Sequence, residues 1–417
     1  MKRLNVLISA YSVCPNRGSE PGTGWHWIIS LAEYCNLYVI TESEWEKRIE
    51  SALPEIENRE FIHFYYVEQT QKGREMGENQ GDWRFYYYYR KWQKSAYRMA
   101  LEILKSEHID VVHQLNMIGF REPGYLWKIR SHPYVWGPIG GMENVPLNYL
   151  RDAPLKQQVV FWLKNVINSL QCRYHPRVRK GLKRAETLIA SVQAVHDKIL
   201  SYHERESTTI NETGSSLIAE DIQKCPHERF NVLWVGRFLY TKQLNMALRV
   251  MCELEAYSDI VLHVCGWGTP EQETYYRELS QKLGIDHKVK WHGKVPFEKV
   301  VEYRKIADVL LYTSIMDGTP HTILEALESN VPVICFDTCG MSAIVNSEVG
   351  TKIPISTPHQ SVRDFSTAVL EYYQDRTLLT EKSLNCSKLM PMYSWPCKAK
   401  QMLEIYHESI RKFQNRK

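Results

Sequence analysis

Several common sequence features are missing from this chain of 417 residues, and each absence disfavours one class of protein. The 10 cysteines include no Cys-x-x-Cys pair, which disfavours a zinc or redox motif. No stretch approaches the ~18 consecutive apolar residues of a transmembrane helix. The 52 basic residues nearly balance 48 acids, which is not the footprint of a dedicated nucleic-acid binder. The composition therefore predicts a soluble enzyme or binding protein of two or three domains.

The cysteines and the N-terminus also suggest a compartment. Cys265 and Cys335 lie inside apolar runs, where a thiol behaves as a small hydrophobe. Reduced core thiols are typical of cytosolic proteins. The apolar stretch 4–8 is too short for a signal peptide and is better interpreted as a first strand. We expect a cytoplasmic protein whose membrane contact, if any, is peripheral.

Short apolar runs alternate with helix-length amphipathic segments along the whole chain, a pattern that predicts parallel βαβ units in an α/β fold. The near-continuous hydrophobicity of each run suggests strands that are covered by helices on both faces. The predicted strands are 4–10, 37–41, 61–67, 111–115, 134–137, 187–191, 231–235, 260–265, 289–292, 309–313 and 331–336.

A polar, turn-rich stretch, 202–225, separates the two sets of strands and is the best candidate for a linker. We therefore predict two Rossmann-like, doubly wound domains: 1–205 on the acceptor side and 206–390 on the donor side. The last helical segment, in 391–417, is expected to cross back to the first domain. Ligands of such folds bind at the carboxyl ends of the strands, here in a cleft between the domains.

A glycine-rich stretch follows the first predicted strand. Gly18, Gly22 and Gly24 do not match the G-x-G-x-x-G dinucleotide motif, but they let backbone amides approach an anion at a helix start. A turn that only reverses the chain explains them equally well.

Two further stretches carry charged residues at predicted strand ends. Arg237 and Lys242 follow the strand 231–235, where two cations suit a diphosphate, although two solvated basic residues are the simpler alternative. Asp317 and Glu325 follow the strand 309–313. Glu325 stands among apolar residues and needs a polar partner, such as a sugar hydroxyl, unless it is a surface acid of a helix.

In order and spacing, these stretches resemble the retaining nucleotide-sugar glycosyltransferases of family 4, which have the GT-B fold. The similarity is most specific over 229–350. The stretches 18–22 and 135–141 are similar to a bacterial polysaccharide subgroup of that family. The resemblance implies transfer of a sugar, with retention, from a nucleotide-sugar donor to a glycan or lipid-linked acceptor, without metal or cofactor. No D-x-D motif is present, in agreement with that expectation.

The resemblance also implies roles for individual residues. Arg237 and Lys242 would hold the diphosphate, Glu325 the ribose, and Asp317 the transferred sugar. Asp317 departs from the family pattern, because the first acid is usually Glu. The other positions that the resemblance implicates in donor binding are Gly18, Gly22, Gly318, Thr319, His321 and Thr322.

His113, at the end of a predicted strand, lies near the place of an active-site histidine in many relatives. We expect either a catalytic role or a structural histidine at a strand end. Two alternatives for the whole chain also remain, a non-catalytic glycosyltransferase-like partner subunit and a sugar-nucleotide epimerase of related fold. A nucleic-acid partner is not expected.

Two segments of the first half are candidates for contact with an anionic membrane. The stretch 83–98 is rich in both aromatic and basic residues. The stretch 151–184 has only one acid, Asp152, and a basic helix with aromatic residues suits an anionic lipid surface. Core aromatics with a solvated basic face are the alternative explanation. The basic residues of this stretch are Arg151, Lys156, Lys164, Arg173, Arg177, Arg179, Lys180, Lys183 and Arg184.

Overall fold

A computed structural model describes residues 3–78, 83–151, 153–215, 228–318 and 320–416. The strands are β1 Leu4–Ser9, β2 Cys35–Glu42, β3 Ile62–Val67, β4 Val111–Gln114, β5 Tyr134–Ile139, β6 Thr187–Ala190, β7 Thr208–Thr209, β8 Phe230–Arg237, β9 Ile260–Trp267, β10 Val289–Trp291, β11 Val309–Tyr312, β12 Val333–Phe336 and β13 Gly350–Ile353.

The helices are α1 Ser19–Leu31, α2 Glu46–Ala52, α3 Gln71–Glu78, α4 Phe85–Ser106, α5 Leu155–Tyr174, α6 Pro176–Arg184, α7 Gln193–His203, α8 Leu244–Glu253, α9 Pro270–Lys282, α10 Phe297–Ile306, α11 His321–Glu328, α12 Cys339–Ile344, α13 Pro358–Gln374, α14 Arg376–Leu389 and α15 Trp395–Gln414. None of these described helices is both long enough and apolar enough to cross a membrane.

The chain divides into two compact units. The first comprises Met1–Met142, Asn168–Gly214 and Ser394–Lys417, and the second comprises Glu143–Ile167 and Ser215–Tyr393. Each unit has one parallel sheet, with strand order β3-β2-β1-β4-β5-β6-β7 in the first and β10-β9-β8-β11-β12-β13 in the second. The order reverses at β1/β4 and at β8/β11, the switch points at which open α/β sheets bind ligands. The predicted α/β class with two doubly wound, Rossmann-like units is confirmed.

The burial of the strands explains why they could be predicted from the sequence. All four residues of β6, β11 and β12 are buried, as expected for parallel strands with helices on both faces. Each predicted apolar run contains a strand, but β7 and β13 were not predicted. β7 consists of two exposed threonines, and β13 has the sequence GTKI with a half-buried centre. Such strands at sheet edges have no apolar run to reveal them.

The predicted domain boundary differs from the division in the structure. The second unit begins at Ser215 rather than at 206, and it also includes Glu143–Ile167, which the sequence had placed in the first domain. Val145, Tyr149 and Leu150 of this segment are buried in the core of the second unit. Their burial depends on contacts distant in sequence, so a linker signal cannot report it.

Helix α15 belongs to the first unit and carries a buried lysine. Trp395, Met402 and Tyr406 of this helix pack in the same core as Trp27 of α1. Lys398 is 3% exposed, and its Nζ donates to the carbonyl oxygen of Asn211 at 2.5 Å. Burial lowers the pKa of the Lys398 ammonium to about 7.

We predict that Lys398 makes the stability of the protein rise with pH between about 7 and 10. The unfolded chain keeps this lysine protonated up to its ordinary pKa of ~10.4, whereas the folded chain releases the proton near 7. The group therefore adds up to ~1.4 kcal/mol of stability per pH unit in that window. In urea unfolding, Lys398→Met should be more stable than wild type at pH 7 and lose that advantage toward pH 10.

Lys400→Met, an exposed position of the same helix, is the matched control and should parallel wild type at every pH. A constant difference between Lys398→Met and wild type from pH 7 to 10 would contradict the assignment.

Candidate functional site

The candidate site lies in the second unit at the switch point between β8 and β11. These strands pair in parallel, with Val232 beside Val309, so both end at the same edge of the sheet. The loops that follow them are hydrogen-bonded to each other. The amide of Ile315 donates to the carbonyl of Thr241 at 2.9 Å, and the Thr313 hydroxyl donates to the carbonyl of Lys242 at 2.8 Å. Residues that are about 70 positions apart are thereby held side by side.

Lys242 and Asp317, which the sequence singled out separately, are in direct contact. The Lys242 ammonium donates to Asp317 Oδ2 at 2.5 Å and to the Tyr312 hydroxyl at 2.6 Å. The Tyr312 hydroxyl in turn donates to the same carboxylate oxygen. The side chains of Lys242 and Asp317 are each 20% exposed, so the pair is partly screened from water and open on one side. Arg237 ends β8 at the same edge and is exposed.

Tyr312 is a member of this cluster that the sequence did not indicate. It is the last residue of β11, is buried, and reads as part of the apolar run. Burial and then the neighbouring Asp317 carboxylate raise the pKa of Tyr312 well above its usual range, so its hydroxyl keeps the proton that it donates. A tyrosine directly before the loop that carries Asp317 is the only signal that could have indicated it.

Glu325 lies on α11 and has the polar partner that its apolar surroundings require. Its Oε2 accepts from Arg304 Nη1 at 2.5 Å. The Arg304 side chain, on α10, is 4% exposed, whereas that of Glu325 is 28% exposed. The buried guanidinium therefore fixes the carboxylate while leaving part of it accessible. The sequence predicted that Glu325 needs a polar partner. It did not indicate Arg304, because this residue lies 21 positions away on a different helix, α10.

The loop from Asp317 to α11 is held by a close backbone contact. The amide of Gly340 donates to the carbonyl of Asp317 at 2.8 Å, and a Cβ at position 340 would lie 2.3 Å from the carbonyl oxygen of Gly318. Only glycine permits this approach. At the start of α11, burial lowers the pKa of His321, although Glu325 and Asp317 oppose the shift. Thr322 follows it and is half-buried, while the predicted Thr319 lies outside the described residues.

The glycines of the first unit are placed between β1 and α1. Gly18 is the exposed residue that precedes α1, and Gly22 lies in its first turn. A Cβ on Gly22 would be 1.9 Å from the carbonyl oxygen of Arg17, so this glycine permits the chain to fold back on itself. That contact supports the turn interpretation for Gly22, and the role of both glycines in donor binding stays a prediction.

The surroundings of His113 favour the structural interpretation over the catalytic one. Its side chain is fully buried in the first unit, and Nε2 donates to the carbonyl of Gly137 at 2.8 Å. Nδ1 accepts from the Tyr406 hydroxyl at 2.7 Å. Burial lowers the pKa of His113 to about 4, so the ring is neutral and both nitrogens are occupied near pH 7. His113 is the structural histidine of the alternative interpretation, because the strand end that it occupies is covered by α15.

The family comparison agrees with the location of this site. Residues 218–388 match the family model described as "Glycosyl transferases group 1". Every residue of the cluster, from Arg237 to Gly340, lies within that range. The second unit therefore contains a glycosyl transferase group 1 domain.

Two curated relatives illustrate the sequence similarity. An uncharacterized glycosyltransferase of Methanocaldococcus jannaschii is 26% identical over 42% of this chain and 44% of its own length. The lipopolysaccharide 1,6-galactosyltransferase of Salmonella typhimurium is 26% identical over 47% of this chain and 63% of its own. The match thus spans less than two thirds of either relative.

Solved structures are similar over nearly the whole chain. A glycosyltransferase from Rickettsia africae is 16% identical, with a TM-score of 0.65 over 98% of this chain and 99% of its own. Anabaena HepE, solved in complex with UDP and glucose, is 13% identical, with a TM-score of 0.55 over 97% of this chain and 99% of its own. This similarity shows the fold, and the GT-B fold class is confirmed.

We predict that Lys242 and Asp317 are coupled in stability as well as in position. In a double-mutant cycle of Lys242→Met and Asp317→Asn, the coupling free energy of unfolding should be ~1–2 kcal/mol, because contacting residues in a partly buried network couple more strongly than exposed pairs. The more exposed pair Lys352 and Asp337, at 3.1 Å, is the matched control and should couple by less than ~1 kcal/mol. Equal coupling in the two pairs would contradict the prediction.

Proposed function

We propose that this protein transfers a sugar from a nucleotide-sugar donor to a glycan or lipid-linked acceptor, in the biosynthesis of a cell-surface polysaccharide. The observation that carries the proposal is the contact between Lys242 and Asp317 at the sheet edge where Arg237 ends β8, within the stretch that matches the group 1 model. The UDP and glucose bound by Anabaena HepE, a protein of the same fold, support a nucleotide-sugar donor. The activity of the Salmonella relative supports a lipid-linked glycan as acceptor.

In the proposed site, the donor diphosphate replaces Asp317 as the partner of Lys242. Without donor, Lys242 is neutralised by Asp317. A diphosphate carries more charge than one carboxylate and, beside Arg237, would draw Lys242 toward itself. Asp317 would then accept a hydrogen bond from a hydroxyl of the transferred sugar. Glu325, held by Arg304, would accept hydrogen bonds from the ribose hydroxyls.

The chemical step breaks the bond between the anomeric carbon and the donor phosphate oxygen, and forms one between that carbon and an acceptor oxygen. Positive charge develops on the sugar and negative charge on the departing diphosphate. In the donor complex, Arg237 and Lys242 would lie where the negative charge develops and would stabilise it, which lowers the barrier. We propose retention of configuration, with the acceptor proton passing to the leaving phosphate, and no requirement for a metal or cofactor.

We predict different kinetic defects for the charged residues of the site. Arg237→Ala should lower kcat/KM by ~10²–10³-fold, because it removes one preorganised cation. Asp317→Asn should mainly lower kcat, since the carboxylate acts near the reacting carbon. Glu325→Gln should mainly raise the donor KM, because the ribose is remote from the breaking bond. Release of nucleoside diphosphate from a panel of nucleotide sugars, with a chelator present, measures all three.

Arg363→Ala and Glu371→Gln, which change exposed residues of the same unit, are the matched controls and should retain wild-type kinetics. If Asp317→Asn and Glu325→Gln show the same defect, the division of roles is wrong. Wild-type turnover in Arg237→Ala would refute the diphosphate assignment.

We further propose that the protein contacts an anionic membrane peripherally, through α5. Many apolar side chains of this helix are exposed, whereas polar ones are directed inward. The side of this helix that is directed to the protein includes two asparagines beside Phe161 and Cys172. Asn165 Nδ2 donates to the carbonyl of Val145 at 2.8 Å, and Asn168 Nδ2 donates to that of Met142 at 3.0 Å. Side chains that normally lie in water thus attach α5 to the rest of the chain.

The opposite face of α5 is apolar and exposed. Its residues recur at helical spacing, and such a contiguous apolar surface marks an interaction site. No acidic residue occurs from 153 to 185, so a second copy of this face would be repelled by like charge, whereas anionic lipid would be attracted. The exposed apolar residues of α5 are Leu155, Val159, Val160, Trp162, Leu163, Val166, Ile167, Leu170 and Tyr174.

The nine described cysteines are free thiols, which suits the reducing side of that membrane, and we place the reaction at its cytoplasmic face.

We predict that Val159→Ser with Leu163→Ser weakens binding to vesicles of phosphatidylglycerol and phosphatidylcholine by about tenfold or more, because two exposed apolar side chains no longer enter the interface. Cosedimentation measures the partition. Leu384→Ser with Met392→Ser removes apolar side chains of similar exposure elsewhere and should bind as wild type does. Unchanged binding of the α5 variant would contradict the membrane contact.

A further inference from the structure

A basic groove of about 940 Å³ lies in the first unit and has no part in the site described above. It is formed by α6, the end of α7 and the end of the chain. Because α6 leads into the start of β6, the groove lies at the amino edge of the sheet, opposite the edge from which the glycine-rich loop leaves β1. Its charged lining residues are Arg179, Lys180, Lys183, Glu204, Arg205 and Arg416.

All the charged residues of α6 that line the groove are basic. Arg179, Lys180 and Lys183 are exposed and, at positions i, i+1 and i+4, lie on one side of the helix, above the buried Leu182. None of the three cations forms an ion pair with another described residue. Their charge is therefore available to a ligand.

The acid beneath the groove is already neutralised. Glu186 has a side chain that is 1% exposed, and its carboxylate pairs with Arg184 at 2.6 Å and with Arg416 at 3.0 Å. It also accepts from the amide of Tyr134 at 2.7 Å. Glu204 is the one carboxylate left in the lining, so the groove has a clear excess of positive charge.

The floor of the groove is rigid. Arg205 donates from Nη1 to the carbonyl of Lys183 at 2.9 Å and from Nη2 to that of Ala185 at 2.6 Å, which fixes the end of α6. His203 Nε2 donates to the carbonyl of Cys172 at 2.8 Å. The cations are thus presented by a preformed surface, which reduces the entropy that a ligand must overcome.

One wall of the groove is aromatic and continuous with α5. Tyr174, the last residue of α5, is 56% exposed, and the Arg173 guanidinium lies 5.4 Å from its ring centroid and 5.7 Å from that of Tyr202. The exposed apolar residues at the end of α5, Leu170 and Tyr174, therefore lie beside a cluster of cations. An apolar surface that leads into a cationic groove matches an amphiphile with an anionic phosphate group.

We propose that this groove binds the phosphate of an anionic phospholipid headgroup. The lipid tail would then lie on Tyr174 and Leu170, the exposed apolar residues of α5 that belong to the same unit as the groove. The inference rests on the proposed membrane contact and adds to it a defined site, with Arg179, Lys180 and Lys183 as the phosphate ligands. Free glycerol phosphate shares the headgroup chemistry but lacks the apolar part.

The test uses the full chain and no bilayer. Dihexanoylphosphatidylglycerol below its micelle concentration is titrated by calorimetry, beside dihexanoylphosphatidylcholine and glycerol phosphate. We expect wild type to bind the anionic lipid in a salt-sensitive manner and the other two probes at least tenfold more weakly. The combined Arg179→Gln, Lys180→Gln and Lys183→Gln variant should lose about a hundredfold in affinity, at roughly fivefold per cation.

The combined Lys282→Gln, Lys290→Gln and Lys299→Gln variant removes the same charge from exposed positions of the second unit and should bind as wild type does. Equal loss in both triple variants would overturn the site in favour of general charge attraction. Glycerol phosphate binding as tightly as the lipid would overturn the lipid assignment, as would displacement of the lipid by a lower concentration of duplex DNA.

The α5 variant Val159→Ser with Leu163→Ser separates this inference from the membrane proposal. It should bind the short-chain lipid within about threefold of wild type while it loses vesicles, because the phosphate ligands are intact and Leu163 lies ~16 Å along the helix from Tyr174, beyond the reach of a six-carbon tail. If this α5 variant loses vesicle binding but still binds the short-chain lipid, both proposals are supported. If the groove triple variant binds the short-chain lipid as wild type does, the groove proposal is overturned and the α5 contact is not affected.

Discussion

The candidate site depends on the hydrogen bonds that join the loops after β8 and β11. Parallel strands bring two loops to the same edge of a sheet, but they do not determine the distance between the side chains of those loops. The Thr313 hydroxyl, bonded to the carbonyls of Lys242 and Gln243 at 2.8 and 3.0 Å, fixes that distance. Without this connection, Lys242 and Asp317 would be two charges at one edge rather than one pair.

Much of the fold could be predicted because parallel strands are buried on both faces and read as apolar runs. The edge strands β7 and β13 do not meet that condition, and the sequence missed them. The same reasoning explains the segment Glu143–Ile167, which packs in the second unit although it lies among residues of the first. Membership of a core is decided by contacts distant in sequence, and no local pattern reports it.

The sequence indicated those residues of the site whose charge interrupts an apolar pattern. It did not indicate those that fit the pattern around them. Lys242, Asp317 and Glu325 stand out as charges beside predicted strands. Tyr312 and Arg304 complete their hydrogen bonds, yet Tyr312 looks like any strand residue and Arg304 like any helix-surface cation. For His113 the sequence left two interpretations open, because a histidine at a strand end has the same sequence signal whether the strand end is open or, as here, buried.

The attachment of α5 through amides has a consequence for reversibility. Most amphipathic helices are anchored by their apolar side, so a membrane can take that side only by detaching the helix and exposing the core beneath it. Here the directional bonds from Asn165 and Asn168 anchor the helix together with Phe161 and Cys172, and most of its apolar side chains are already outside. In the proposed membrane contact, the protein would therefore bind and leave a bilayer without detaching α5, and occupancy would follow lipid composition and ionic strength rather than a refolding barrier.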